Sequence, residues 1–531
     1  MDVQKDLDHS AGFDENEPTG RSPQMIWGLR ILGLALAGLV WLLLGGQPDL
    51  PPDARMVAAI GTLMAVWWMT EAIPLSATSL LPIVLIPALT ERSVAEATQP
   101  YASSIVFLFL GGFLIAIAME KWHLHTRIAL LTLRKVGVAP RRIVLGMMLA
   151  TGFLSMWVSN TATTLMMLPI GLSVLSLVVS RGSRQDGAEA EEAMRAGGTI
   201  TDVVKDPDIK AFGVCLVLSI AWAASMGGLG TLLGSPPNAI VAGYAADELG
   251  RNIGFLEWMM LGTPLALAFI LIAWFLMTRL LYRFDLPEIP GGLEMIDSQV
   301  RALGPLSQGE KMVLGVFMGA AFLWVVPGLL TSIPAIDAAA PWLGSLDDTA
   351  IAVGAGLVMF LLPGRGRDRM VLDWKDAERG LPWGVLLLFG GGLSLASAVA
   401  ASGLDGWFGQ QVTGLGALPT LLLVAAVVTI ILFLTEITSN TATAATFIPI
   451  LGGVALGIGA DAMTLLIPAA LAATCAFMLP VGTPPNAIVF GTGTVTIAQM
   501  ARGGFVLNIV GILLITGLTY LLGGLALGLS F

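Results

Sequence analysis

Two short polar motifs each occur twice in a chain that is otherwise strongly apolar. Ser159-Asn160-Thr161 and Ser439-Asn440-Thr441 lie inside hydrophobic stretches, and each is followed by a proline-rich motif, GSPPNAIV at 234–241 and GTPPNAIVF at 482–490. Polar groups in the interior of a membrane are costly unless they find partners. The repetition of both motifs indicates a binding region, with helix capping and contacts between helices as the alternative.

The two proline pairs predict interrupted helices. Proline lacks a backbone N–H and clashes with the preceding turn, so a helix that reaches Gly234 or Gly482 must stop. Ser, Thr and Asn are favoured N-cap residues, so each Ser-Asn-Thr predicts the start of a half-helix at a hairpin tip. Each helix start carries unpaired N–H groups and a partial positive charge. Together these starts predict an anion site that needs neither lysine nor arginine, unless the proline pairs form simple kinks.

The helices that end at the same interruptions leave free carbonyl oxygens. Ser155 and Thr435 lie about one turn before Ser159 and Ser439 and add hydroxyl oxygens. Such oxygen ligands suit a small cation such as Na⁺, although these hydroxyls could instead bond back to their own helices. The electrostatic free energy of a dianion rises by about 4.6 kcal/mol when it enters a cell whose interior is 100 mV negative. Two co-transported sodium ions would cancel that cost.

The elements that position these motifs must be membrane-spanning helices. Of 531 residues, 56% are hydrophobic and 12% are charged, which excludes a water-soluble globule and is typical of a polytopic membrane protein. Cys215 and Cys475 lie in apolar stretches and are predicted to be packed thiols. The acidic tail, residues 1–24, is predicted to be disordered and cytoplasmic and to bind no nucleic acid.

We expect an all-α fold with about eleven transmembrane helices and two re-entrant helical hairpins. The spans are predicted near 25–46, 55–72, 74–90, 103–120, 212–246, 255–282, 309–330, 345–363, 383–402, 462–499 and 503–530. With the N-terminus cytoplasmic, most of the 27 lysines and arginines fall on the cytoplasmic side, as the positive-inside rule requires. The C-terminus then faces outward, and we expect a bacterial inner membrane.

An internal repeat explains why the motifs are paired. Asn160 and Asn440 are 280 residues apart (440 − 160), and an odd number of helices between equivalent elements means that the two halves are inverted. Such repeats, interrupted at corresponding positions, indicate a transporter with its site near mid-membrane. The predicted units are as follows: a first helix at 25–54; a first repeat at 55–300, with a hairpin at 143–179 and a broken helix at 212–246; and a second repeat at 301–531, with a hairpin at 417–456 and a broken helix at 462–499.

The paired motifs, together with WWMTEAIPLSATSLLPI at 67–83, resemble the divalent anion:sodium symporter family over about residues 25–531. The resemblance implies a homodimer in the bilayer, with a scaffold domain and an elevator-like transport domain that carries succinate, malate or fumarate with Na⁺. It implies a substrate site made of Asn160, Thr161, Ser235, Pro236, Ser439, Asn440, Thr441, Thr483 and Pro484. It implies sodium sites made of Ser155, Ser159, Asn160 and Gly234 and of Thr435, Thr438, Asn440 and Gly482.

Other titratable residues are assigned structural roles. Glu71 and Glu436 share a Thr-Glu context, and we expect hydrogen-bonding roles, with proton coupling or cation attraction as the alternative. His123 and His125 lie in a charged interfacial stretch. We expect both histidines to be solvated or to face lipid headgroups rather than to bind a metal.

Three classes of function compete. An enzyme would need a nucleophile with a base or a metal cluster, which three histidines and two distant cysteines do not supply. A channel would need a continuous polar pore, whereas the polar residues cluster at two symmetric interruptions. A secondary carrier fits best. Among carriers we favour sodium-coupled uptake, with a sodium-independent dicarboxylate exchanger of the same fold as the alternative. Sulfate or a tricarboxylate is an alternative main substrate.

Overall fold

The protein is helical almost throughout. The computed structural model describes residues 22–182, 206–287, 292–365, 369–411 and 413–531. Within these ranges, nine helices are long and apolar enough to cross a membrane, and four apolar helices are shorter. The all-α membrane fold is thereby confirmed. A short antiparallel pair of strands, Pro363–Arg365 and Arg369–Met370, was not predicted.

The first half of the chain contains one hairpin and one broken helix. In chain order its helices are α1 (Pro23–Leu43), α2 (Pro52–Thr70), α3 (Leu75–Thr78), α4 (Leu81–Leu89), α5 (Val94–Thr98), α6 (Ser104–Lys121), α7 (Leu124–Val136), α8 (Pro140–Ser155), α9 (Asn160–Gly182), α10 (Pro207–Gly227), α11 (Pro236–Leu249), α12 (Phe255–Leu276) and α13 (Gly292–Ala302). Helices α8 and α9 form the first hairpin, and α10 and α11 form the first broken helix.

The second half repeats this order. Its helices are α14 (Gln308–Thr331), α15 (Pro334–Ala339), α16 (Asp348–Leu361), α17 (Trp374–Gly380), α18 (Trp383–Ser402), α19 (Leu404–Gln411), α20 (Thr420–Thr435), α21 (Asn440–Gly457), α22 (Ala462–Ala473), α23 (Pro484–Gly491) and α24 (Ile497–Leu527). Helices α20 and α21 form the second hairpin, and α22 and α23 form the second broken helix.

Several predicted boundaries were wrong for local reasons. The span predicted at 74–90 is divided into α3 and α4. The second broken helix ends at Gly491 rather than 499, because Thr496 and Gln499 form a capping box that starts α24 at Ile497. Helix α1 begins at Pro23, with Ser22 as its N-cap. The disorder predicted for the tail therefore concerns residues 1–21, which lie outside the described residues.

Helix α10 lies at the centre of the packing and contacts α8, α9, α12 and α23. Its close approach to α8 depends on glycine, since a Cβ on Gly227 would lie 2.2 Å from the Gly152 carbonyl oxygen. Small residues allow such backbone contacts between membrane helices. Cys215 on α10 and Cys475 just after α22 are buried free thiols, as predicted.

Two of the titratable residues differ from their predicted roles. His125 was expected to be solvated, but α7 packs it inward, where it is 6% exposed and its Nδ1 lies 3.4 Å from the Met119 carbonyl oxygen. Burial lowers the pKa of His125 to about 4. His123 is exposed, as predicted. Glu71 is exposed at the end of α2 in a left-handed conformation, rather than buried in a hydrogen-bonding role.

Candidate functional site

The tip of the first hairpin docks onto the interruption between α10 and α11. Ser155 ends α8 and Asn160 begins α9, and Ser155 Oγ lies 2.7 Å from the Asn160 amide. The Asn160 amide nitrogen is assigned to face the carbonyl oxygens of Ala224, at 3.0 Å, and Gly234, at 3.2 Å. The first Ser-Asn-Thr motif and the first proline-rich motif therefore meet.

Glycine makes this contact between hairpin and broken helix possible. A Cβ on Gly228 would lie 2.6 Å from the Asn160 amide and 3.0 Å from the Gly234 carbonyl oxygen. A Cβ on Gly234 would lie 2.6 Å from the Gly228 carbonyl oxygen. Gly228 was not predicted as a site residue, because its importance depends on a neighbour 68 residues away in the chain (228 − 160).

The second hairpin repeats this geometry. Thr435 ends α20, and its Oγ1 lies 2.7 Å from Asn440 Oδ1 and 3.0 Å from the Ala473 carbonyl oxygen. A Cβ on Gly482 would lie 2.9 Å from the Glu436 carbonyl oxygen, so the loop before α23 also touches this hairpin. The hydroxyl–amide pair of the first hairpin thus has a counterpart in the second.

The asparagines of the two proline-rich motifs hold the interruptions together. Asn238 Nδ2 donates to the carbonyl oxygens of Gly228 and Thr231, both at 2.8 Å. Asn486 Nδ2 donates in the same way to Ala476 at 3.1 Å and Leu479 at 3.0 Å. Because these carbonyls lie where a helix has ended, the bonds satisfy groups that the break leaves free. Asn238 and Asn486 therefore shape the site through its backbone.

Glu436 stabilises only the second interruption. Its carboxylate accepts hydrogen bonds from the backbone N–H groups of Phe477 at 2.8 Å, Met478 at 2.9 Å and Leu479 at 3.3 Å, and from Asn508 Nδ2 at 2.8 Å. This arrangement matches the predicted hydrogen-bonding role. The equivalent position in the first hairpin, 280 residues earlier, is Met156. The two halves are therefore chemically unequal.

The two broken helices meet directly. Ser235, just before α11, and Thr474, just after α22, are both buried, and their hydroxyl oxygens lie 2.9 Å apart. This contact joins the two halves of the site. Thr474 was missed from the sequence because a single threonine in an apolar stretch carries no distinctive signal.

The remaining predicted site residues lie around these contacts. Residues 159–161 and 439–441 are half-buried, Ser235 and Thr483 are buried, Pro236 is half-buried and Pro484 is exposed. Ser159 caps α9 by accepting from the Ala162 N–H at 3.3 Å. Ser439 is the N-cap residue of α21, as predicted, but its side chain makes no capping hydrogen bond.

The chemistry of the site comes mainly from the backbone and from neutral side chains. The starts of α9, α11, α21 and α23 lie at the hairpin tips and interruptions, and the N–H groups of a helix start favour an anion. The carbonyl and hydroxyl oxygens beside Asn160 and Asn440 favour a small cation. Hairpin tips that meet broken helices in this way are typical of secondary transporters.

Comparisons with known proteins identify the family. The profile of the sodium:sulfate symporter transmembrane region matches residues 24–526. The chain is 41% identical over 508 residues to the sodium-dependent dicarboxylate transporter SdcS of Staphylococcus saprophyticus, covering 94% of this chain and 93% of that protein. It is also 41% identical to SdcS of Staphylococcus aureus strain bovine RF122 / ET3-1 over 506 residues, covering 94% and 92%. The protein belongs to this sodium:sulfate symporter family, the divalent anion:sodium symporters that its motifs resemble.

Two solved transporters share the fold at low sequence identity. The YdaH transporter of Alcanivorax borkumensis superposes with a TM-score of 0.55 at 13% identity, covering 90% of this chain and 99% of that one. MtrF of Neisseria gonorrhoeae superposes with a TM-score of 0.53 at 12% identity, covering 91% and 96%. At this level of identity the likeness concerns the fold alone.

Proposed function

We propose that the protein is a sodium-coupled secondary transporter that imports C4-dicarboxylates such as succinate, malate and fumarate. The observation that carries the proposal is the mirrored pair of hairpin tips, where Ser155 meets Asn160 and Thr435 meets Asn440, each at 2.7 Å. Each pair lies beside a broken helix, as a coupled anion and cation site requires. The names of the two staphylococcal relatives support sodium and a dicarboxylate as the transported species.

The first sodium site would use oxygens of Ser155, Ser159, Asn160 and Gly234. Turning the Asn160 amide by half a turn would place Oδ1 beside the Ala224 and Gly234 carbonyl oxygens and Ser155 Oγ. Such a group of acceptors repels itself without a cation and becomes favourable around one. These residues therefore fit Na⁺, and a rotating amide would couple the ion to the hairpin tip.

The second sodium site would use Thr435, Thr438, Asn440 and Gly482. Thr438 Oγ1 bonds within its own hairpin, to the Leu434 carbonyl oxygen at 2.8 Å and to Thr443 Oγ1 at 2.7 Å. Because the hydroxyl is engaged within the hairpin, the carbonyl oxygen of Thr438 would be the group that faces an ion.

The substrate would lie between the two hairpin tips, with one carboxylate toward each half. Asn160, Thr161, Ser439, Asn440 and Thr441 would donate hydrogen bonds, together with the helix starts at Ser235-Pro236 and Thr483-Pro484. Two sodium ions neutralise a dianion, and a third would let the membrane potential drive import, at about 2.3 kcal/mol per charge and 100 mV.

Movement would follow the elevator scheme of a homodimer, with the N-terminus cytoplasmic and the C-terminus outside. We assign the hairpins, the broken helices, α12 and α24 to the moving domain. The support is packing: α10 contacts α8, α9 and α12, and α22 contacts α20, α21 and α24. The remaining helices would form the scaffold and the dimer contact.

Uptake of radiolabelled succinate into proteoliposomes tests the function. We expect uptake to depend steeply on external Na⁺ and to disappear in choline buffer. Equal uptake in choline buffer, stimulated by internal succinate, would instead identify an exchanger. Competition by malate, fumarate, sulfate and citrate would define the anion, and stronger competition by sulfate or citrate than by malate would overturn the C4-dicarboxylate assignment.

A further inference from the structure

Four aromatic side chains pack together beside the tip of the first hairpin. Trp157 lies two residues before Ser159, and its ring stacks on Phe255 at 5.9 Å and meets Phe317 edge-on at 5.0 Å between centroids. Phe255 in turn stacks on Trp324 at 4.5 Å. Phe255 starts α12, whereas Phe317 and Trp324 belong to α14. The cluster therefore joins the hairpin tip to two other helices.

Phe255 and Trp324 form an aromatic wall where α12 meets α14. The Phe255 N–H donates to the Asp348 carboxylate at 2.7 Å, and Trp324 Nε1 donates to the Asp348 carbonyl oxygen at 3.1 Å. Asp348 begins α16, so three helices are bonded together at this point. The wall lies where α12 begins and α14 ends, which is the outer face in the predicted orientation.

Trp157 is held against this wall by packing alone. Its indole Nε1 is buried and makes no hydrogen bond with any described residue. Other buried tryptophans differ, since Trp258 donates to the Leu229 carbonyl oxygen at 3.0 Å and Trp222 to that of Phe477 at 3.1 Å. A buried unpaired N–H is unfavourable and regains a partner when water reaches it. Trp157 can therefore move away from Phe317 and Trp324 without breaking a hydrogen bond of its own side chain.

The second hairpin tip is exposed to the surroundings at the position where the first tip is buried. The residue equivalent to Trp157, 280 positions later, is Ile437, which is 65% exposed, whereas Trp157 is 9% exposed. Val481, beside the second interruption, is 76% exposed, and Pro484, Ala487 and Gly491 continue an exposed face along α23. The first hairpin tip is thus covered at the face where α12 begins, whereas side chains at the second tip and along α23 are uncovered.

We propose that Trp157 is a positioning residue, which holds the first Ser-Asn-Thr tip against an aromatic barrier of Phe255, Phe317 and Trp324. The barrier closes the binding site toward the outer face. In every transport cycle Trp157 and Phe255, which belong to the moving domain, must separate from Phe317 and Trp324 on α14, and the hydrogen bond between Phe255 and Asp348 must open. The inference rests on the proposed transport function and adds to it the residues that form the closed barrier and a difference between the two hairpins.

Reversible cross-linking tests whether the barrier must open. Trp157→Cys with Trp324→Cys would be bridged in proteoliposomes by bis-methanethiosulfonate reagents of increasing length. Cys215 and Cys475 are buried, so the native thiols should not react. We expect at least one reagent to abolish the sodium-driven succinate uptake that the reduced double variant shows, and a reducing agent to restore it, while the same reagents leave each single-cysteine variant at its own untreated rate. Full transport by a demonstrably cross-linked protein would overturn the inference.

The same experiment separates this inference from the proposed function. If the reduced double variant and the unmodified protein both fail to transport succinate, the substrate assignment is wrong. If the reduced form transports succinate and the cross-linked form does so equally well, only the barrier is refuted.

A substitution pair provides a test that needs no cross-linking. Trp324→Ala weakens the closed barrier, so the outward-open population should rise and the external succinate concentration for half-maximal uptake should fall by about threefold. Phe322→Ala is the matched control on the same helix, because Phe322 is 58% exposed. A lower maximal rate with unchanged half-saturation in Trp324→Ala would indicate a merely structural role and would refute the barrier.

Discussion

Replacing Gly228 with alanine should selectively damage the first sodium site. The new Cβ would lie 2.6 Å from the Asn160 amide, whereas ordinary contact begins at 3.4 Å, so the Asn160 side chain must move away by about 0.8 Å (3.4 − 2.6). The backbone restricts the opposite side, because the Gly234 carbonyl oxygen would lie 3.0 Å from the same Cβ. Overpacking of this kind costs about 1–3 kcal/mol. Since 1.4 kcal/mol is a factor of ten in affinity, we expect the half-saturating Na⁺ concentration to rise about tenfold.

The assay is the sodium activation curve of succinate uptake in proteoliposomes, measured together with thermal unfolding in detergent. Gly315→Ala on α14 is the matched control, because a Cβ there meets nothing within 4 Å. We expect this control to keep the native activation curve. A Gly228→Ala variant with native half-saturation for Na⁺ and native maximal rate would refute the placement of Asn160 at an ion site.

Three further outcomes are expected. Thr435→Ala should raise the half-saturating Na⁺ concentration, and Thr435→Ser should restore it because the hydroxyl 2.7 Å from Asn440 is kept; equal behaviour of the two variants would remove Thr435 from the site. Glu436→Gln turns an amide N–H toward the backbone N–H groups of Phe477 and Met478 and should lower the free energy of unfolding by about 2 kcal/mol or more. The variant should therefore melt at a lower temperature, and an unchanged melting temperature would contradict the assigned hydrogen bonds. His125 has a pKa lowered to about 4 from 6.5, so its contribution to stability is lost as pH falls between these values, by about 2 kcal/mol at pH 5. His125→Leu should flatten the fall in melting temperature between pH 7 and 5, whereas the exposed control His123→Asn should not.

The interruptions and their number could be predicted because they have local causes. Pro236-Pro237 and Pro484-Pro485 remove backbone donors wherever the chain runs, and α11 and α23 do begin at these prolines. Hydropathy likewise marks membrane helices without knowledge of their neighbours. The boundaries of the helices were predicted less accurately, because a capping box at Thr496 starts a new helix inside a stretch that was predicted to belong to the preceding helix.

The sequence by itself thus determined the fold class, the two hairpins, the two broken helices and the polar residues at their ends. Only the tertiary structure decided which groups those residues touch. Glu436 bonds to the 477–479 backbone, Ser235 meets Thr474 and Trp157 meets α14, although each pair is far apart in the chain. Proline and hydropathy act within a few residues, whereas these contacts depend on how separate helices pack, and no local pattern encodes that packing.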